Sequence, residues 1–305
     1  MTFISMGAQM LRAAKASSEV VLAGLVAAII AAMIVPLPEW ALDIGIALNL
    51  VAGVALLVAA LQAREPLKLA TFPTLLLFTT LFRLAMNVSS TRLALSDGHA
   101  GEIIAAFGDF VVRGNFVVGA VIFCILTLVQ FLVVAKGAER VAEVSARFTL
   151  DAMPGKQMSI DADLRSGTLD ALGAKARRRE LERESQLFGA MDGAMKFVKG
   201  DVIAGLVIAI VNLGGGTLIG MIQGGLTFKE AAATYALIAI GDGLVSQIPS
   251  LCVAVAAGLV VTRVAAEDTS SSLGAEIGTQ FFGRSTSLFV VATVCAALAV
   301  MPGMP

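Results

Sequence analysis

Ionisable side chains stranded in or beside long apolar runs offer the most chemistry in this sequence, and that chemistry is proton or ion transfer. Arg83 lies inside FPTLLLFTTLFRLAMNVSSTR, residues 72–92, where a charge near a bilayer centre costs about 2.5–3.5 kcal/mol on insertion scales. It is expected either to snorkel to the surface or to hold a partner. Arg92 follows Asn87, Ser89, Ser90 and Thr91, a polar run that favours a water-lined or partner-facing site. Asp201 opens an apolar run directly after Lys196, Lys199 and Gly200. Its default reading is a helix N-cap whose carboxylate satisfies orphan N–H groups. The rival is a boundary carboxylate beside a lysine that binds and releases a proton. Asp242 stands between Gly241 and Gly243, which suits a turn and equally an interrupted membrane helix of the kind that holds ions in transporters.

Other chemistries have little material. His99 is the single histidine, and Cys124, Cys252 and Cys295 all sit in apolar segments, which reads as small core residues rather than disulfides or metal ligands. No Walker loop or dinucleotide fingerprint occurs. The expectation is therefore no cofactor, no metal and no enzymatic activity. A net charge of −1 gives no basic arm for nucleic acid.

The elements that must position these residues are membrane helices. Hydrophobic residues make up 57% of the chain, charged ones 15%, and the mean hydropathy is +0.88, against roughly 25% charged in soluble domains. The fold class is all-α, a polytopic membrane protein of about eight spans. These are placed at 20–37, 41–61, 68–90, 115–135, 201–222, 231–247, 248–264 and 285–302. The first run exceeds a signal-peptide core and ends in PLPEW, so it reads as a retained helix. GDG at 241–243 and Pro249 leave the pair at 231–264 open to a broken or re-entrant form. Residues 1–135 form one set of four spans, 136–200 a charged block, and 201–305 a second set of four. The block carries 12 of the 22 Lys/Arg and 10 of the 23 Asp/Glu. With Arg12, Lys15, Arg64 and Lys68 it puts 16 of 22 basic residues on one side. That side is cytoplasmic by the positive-inside rule, with both termini on it.

Within the block, 136–153 reads as a helix with an apolar stripe at Val141, Val144 and Phe148, and with Arg140, Arg147 and Asp151 on one neighbouring face. Pro154-Gly155 is expected to break it, and a second charged helix to run from Thr168 to about Phe188. Gly216, Gly220 and Gly224 line small residues along one helix face, the pattern of close helix packing within or between subunits.

The segments FPTLLLFTTLFRLAMNVSSTR, GNFVVGAVIF, KGAERVAEVSARFTLDAMPGKQMSIDADL, GAMDGAMKFVKGD and GDGLVSQIPSL closely resemble the FHIPEP family. These are the large export-gate proteins of type III secretion, and MSIDADLRSG with RESQLFGAMDGAMKFVKGD is more similar to the injectisome branch than to the flagellar one. The resemblance runs from about residue 20 to the last. It implies a homo-oligomeric ring, expected to be nonameric, in the bacterial inner membrane among other membrane proteins of the export apparatus. The ring would use the proton motive force to export unfolded proteins. The charged block corresponds to the family's cytoplasmic loop. Arg92, Arg140, Arg147, Asp151, Lys196, Asp201 and Asp242 correspond to family residues tied to export or proton use, with Arg83 secondary. Family members carry a large cytoplasmic domain that receives secreted substrates and their chaperones. It has no counterpart here, and the MPGMP ending fits a cut after the last helix. Under this reading a proton on Asp201 or Asp242 is relayed through Lys196 to the Arg140, Arg147 and Asp151 face. A ring scaffold without ion conduction and a small-solute transporter stay open beside it, although no convincing repeat links 20–135 to 201–302 as transporters usually require.

Overall fold

The computed structural model describes residues 19–63, 66–112 and 116–263, with positions 274, 278, 289 and 293. The described chain is helical: α1 Glu19–Ile34, α2 Glu39–Gln62, α3 Phe72–Asp97, α4 Glu102–Val112, α5 Phe116–Gln130, α6 Glu139–Arg165, α7 Ala171–Ile222 and α8 Phe228–Thr262. A short 3₁₀ turn, Pro66–Leu69, precedes α3, and a π-helical segment, Phe131–Ala138, joins α5 to α6. No strand occurs among the described residues.

Local signals start and stop these helices. Pro73 sits in the first turn of α3, where its missing N–H costs nothing, and Gly98 ends that helix at φ 67°, a left-handed conformation that favours glycine. The Asp170 side chain caps α7 by accepting from the Gly173 N–H at 2.7 Å. Thr227 and Glu230 form a reciprocal capping box on α8.

Among the described residues five helices are long and apolar enough to cross a membrane: α2, α3, the run Val117–Arg165, α7 and α8. The expected count of about eight spans is not confirmed. The two spans expected at 231–247 and 248–264 fall on one 35-residue helix, Phe228–Thr262. Of the span at 285–302 only positions 289 and 293, both helical, are among the described residues, and α4 was not anticipated. A helix-interior proline forfeits one hydrogen bond and crowds the preceding turn, which is why a break at Pro249 was expected. Instead, Gly53 of α2 seats against it: a Cβ at Gly53 would lie 3.1 Å from Pro249 Cα. Close packing of α2 holds α8 together through the proline. Gly241 and Gly243 are not a turn either. A Cβ at the first would strike the Ile104 carbonyl of α4, and at the second the Phe123 ring of α5. They let two helices approach α8.

The charged block forms an antiparallel hairpin of α6 with the first half of α7. Here too the expected break fails, because α6 runs through Pro154 and Gly155. Both residues are exposed, so the carbonyl that Pro154 releases meets water. Ion pairs on the far side of the proline tie α6 to α7: Lys156–Glu184 at 3.0 Å, Asp163–Arg177 at 3.8 Å, and a close Asp161–Arg178 pair. The helix expected at 168–188 continues without interruption into the membrane part as the 52-residue α7, about 78 Å long. The anticipated stripe of Val141, Val144 and Phe148 is not the buried face. Phe148 is 72% exposed, and α6 buries Ala142, Ala146 and Ile160 instead.

One apolar core joins Leu56, Leu76, Met191, Met195 and Val253, and a second joins Leu42, Ile46, Met86, Ile104 and Tyr235. On the outside, Ile44, Leu48 and Val51 of α2 and Val121, Ile125 and Leu128 of α5 are exposed, as lipid-facing surfaces are.

Candidate functional site

Three helices turn polar faces toward one another inside this apolar bundle. On α3, Thr80, Arg83, Asn87 and Ser90 recur at helical spacing and are all buried; α7 adds Asp201 and Asn212, and α8 adds Asp242 and Ser250.

The first level is an ion pair. Arg83 Nη2 lies 2.5 Å from Asp201 Oδ2, with side chains 2% and 3% exposed. The approach is ionic rather than an aligned hydrogen bond, and Arg83 Nε and Asp201 Oδ1 have no hydrogen-bond partner. At the second level, Ser90 Oγ donates to Asp242 Oδ1 at 2.6 Å, and Asn212 Nδ2 reaches Oδ2 at 3.5 Å. Among the described residues Asp242 has neutral donors and no cation within ion-pair range. A cavity of about 30 Å³, lined among others by Arg83, Asn87, Asp201, Gln247 and Ser250, adjoins the pair. On its wall, Gln247 Nε2 donates to Thr127 Oγ1 at 2.9 Å.

Several expectations change. Asp201 is not an N-cap, because α7 begins at Ala171 and Asp201 stands well inside it. Its partner is Arg83 on α3, not a neighbouring lysine. Arg83 does not snorkel; it is buried and paired with Asp201. Lys196 bonds to Asp192 at 2.8 Å on an exposed surface, and Lys199 to Glu139 at 2.7 Å. Arg92 donates to the carbonyls of Ile34 and Met33 at 2.5 and 3.0 Å, closing the C-terminal end of α1. It borders an open cleft with Glu39, Ser96 and Asp97 instead of the Arg83–Asp201 level. Arg140 and Arg147 share Glu143 at 3.0 and 3.5 Å on the hairpin surface, and Asp151 is exposed there. Among the described residues Lys196 makes no ion pair with Asp201, while Glu143, which holds Arg140 and Arg147, contributes to its electrostatic surroundings; α7 carries both Lys196 and Asp201.

Gly216 and Gly220 receive the Tyr235 ring of α8, so their stripe serves packing within the chain, while Gly224 lies just past the end of α7. Among the described residues no group of three His, Cys, Asp or Glu forms a metal cluster. Cys124 is exposed rather than a core residue, and lines an apolar cleft between α5, α7 and α8; Cys252 is half-buried. Sequence reasoning missed Asn212, Thr127, Gln247 and Ser250. The available signal was Asp242, Ser246 and Ser250 at i, i+4 and i+8 in an apolar helix.

Comparison with known proteins matches residues 29–305 to the FHIPEP family. The chain is 52% identical over 287 residues to the low calcium response locus protein D of Yersinia pestis, covering 94% of this chain and 41% of that protein. It is 51% identical to the protein MxiA of Shigella flexneri and 50% identical to the secretion system apparatus protein SsaV of Salmonella typhimurium, in each case over 94% of this chain and 42% of the relative. The chain thus spans about two fifths of the length of the curated relatives it matches. No solved structure matches it. With a family match across nearly the whole chain and relatives at half identity, the chain belongs to the FHIPEP family.

Proposed function

We propose that this chain is the membrane part of a type III protein export gate that couples proton entry to secretion of unfolded polypeptides. It works as a homo-oligomeric ring beside other membrane proteins of the apparatus in the bacterial inner membrane, with the α6–α7 hairpin in the cytoplasm. Family membership supports the export role, as do relatives named for secretion, such as the harpin secretion protein HrpI of Erwinia amylovora. Engagement of secreted proteins and their chaperones is assigned to the remainder of such proteins.

The observation that carries the energetic half is the buried Arg83–Asp201 pair. A proton on Asp201 leaves the guanidinium buried without its counter-charge. Breaking a buried pair from one side costs about 3–5 kcal/mol, which is close to the roughly 5.5 kcal/mol that inverts a 1:99 equilibrium. Protonation therefore favours an arrangement in which Arg83 finds another partner. Because α7 carries Asp201 and also one arm of the hairpin, a shift at this level moves the water-facing segment without a relay of side chains. Asp242, buried against Ser90 and Asn212, is the second proton site.

Asp201→Asn tests this in cells: rings should assemble while export is lost. Undiminished export removes Asp201 from the mechanism. One observation favours a scaffold instead. Arg140 and Arg147, paired with Glu143 of their own helix, are exposed on the hairpin where a neighbouring subunit can reach them. Proton flux by the purified chain in vesicles separates the two readings, since a scaffold conducts nothing and keeps export when its buried charges are removed.

A further inference from the structure

We infer that the cavity beside the Arg83–Asp201 pair is a binding site for ordered water, held by Arg83 Nε–H, Asp201 Oδ1 and Ser250 Oγ, and that Ser250 is a positioning residue for the Asp201 carboxylate. All three residues line this one cavity, and all three atoms are buried without a hydrogen-bond partner. Buried polar atoms are nearly always satisfied by protein or by water, so three orphans around a single space point to a shared ligand.

Size and donor set identify it. About 30 Å³ has room for one or two waters at roughly 10–15 Å³ each. One N–H donor, one carboxylate acceptor and one hydroxyl match what a water accepts and donates. The Arg83 guanidinium in the wall disfavours a cation, the Asp201 carboxylate disfavours an anion, and an apolar guest would leave the three polar atoms unsatisfied. Ser250 is 2% exposed on α8, with its hydroxyl free because it makes no bond back to its own helix. The water thereby ties α8 to the ion pair between α3 and α7.

The part that Ser250 plays toward Asp201 rests on the proposed mechanism, whereas the water site stands apart from it. The test is infrared spectroscopy of the full chain in lipid, comparing ordinary with ¹⁸O-labelled water. Wild type should show a sharp O–H stretching band from immobilised water that shifts with the isotope. Ser250→Thr, which keeps the hydroxyl, should retain the band, and Ser250→Val should lose it. If the valine variant does not fold, Ser250→Ala should displace the band instead. No isotope-sensitive band in wild type, or an unchanged band in the valine or alanine variant, overturns the site. Export by Asp201→Asn is read separately, so either idea can fail alone.

Discussion

Removing the Asp201 charge should cost far more than removing an ordinary membrane hydrogen bond. Arg83 and Asp201 are each almost wholly buried and 2.5 Å apart. Loss of one partner from such a pair is worth about 3–5 kcal/mol, or roughly 100- to 4,000-fold in the folding equilibrium at 1.4 kcal/mol per tenfold. Interhelical hydrogen bonds in a bilayer protein average only about 0.6 kcal/mol. The two cases are thus separable by unfolding the reconstituted chain in a denaturing-detergent titration followed by circular dichroism. Asp201→Asn and Arg83→Met should each destabilise within the larger range. The double variant Arg83→Met with Asp201→Leu should recover most of the loss, since apolar replacement of a whole buried pair is often neutral or stabilising. Single losses below about 1 kcal/mol that simply add in the double variant would refute the buried pair and the mechanism built on it. Export then divides structure from coupling: the double variant should fold and still fail to secrete.

Three further outcomes follow from the packing and surface. Gly216→Ala should destabilise by about 1–3 kcal/mol through overpacking against Tyr235, whereas Gly214→Ala, with open space around its Cβ, should be neutral or gain up to about 1 kcal/mol; the same titration measures both. Arg140→Gln with Arg147→Gln should change stability by less than about 1 kcal/mol, as exposed ion pairs do, so any loss of secretion would report contact with a neighbour. Phe148→Glu, on a side chain 72% exposed in the hairpin, should leave the monomer's unfolding curve unchanged while weakening ring assembly, read by size-exclusion chromatography with light scattering.

Where a helix was expected to break and did not, the reason was the same each time. Pro154, Pro249 and the 241–243 glycines are local breakers: the first is expected to end its helix, and the others leave 231–264 open to a broken pair. Whether a breaker acts depends on what surrounds it. Water and ion pairs carry α6 past Pro154, and α2 packs on Pro249 through Gly53. The same oversight misassigned Asp201. Taken as the start of a span it looks like a cap near Lys196, but in a continuous helix five positions turn the two side chains about 140° apart.

What the residues dictate without any fold is chemical and periodic: long apolar runs become helices, a charged block stays in water, and ions within apolar stretches are too costly to be incidental. Arg83, Asp201 and Asp242 could be singled out on those grounds. Which of them meet was decided by tertiary structure alone, because pairing residues 118 positions apart depends on how far each helix is rotated and where small residues let it approach. Hydropathy carries no information about rotation, so the Arg83–Asp201 pair, the Asn212 and Ser90 contacts of Asp242, and the cavity at Ser250 exist only once α3, α7 and α8 have packed.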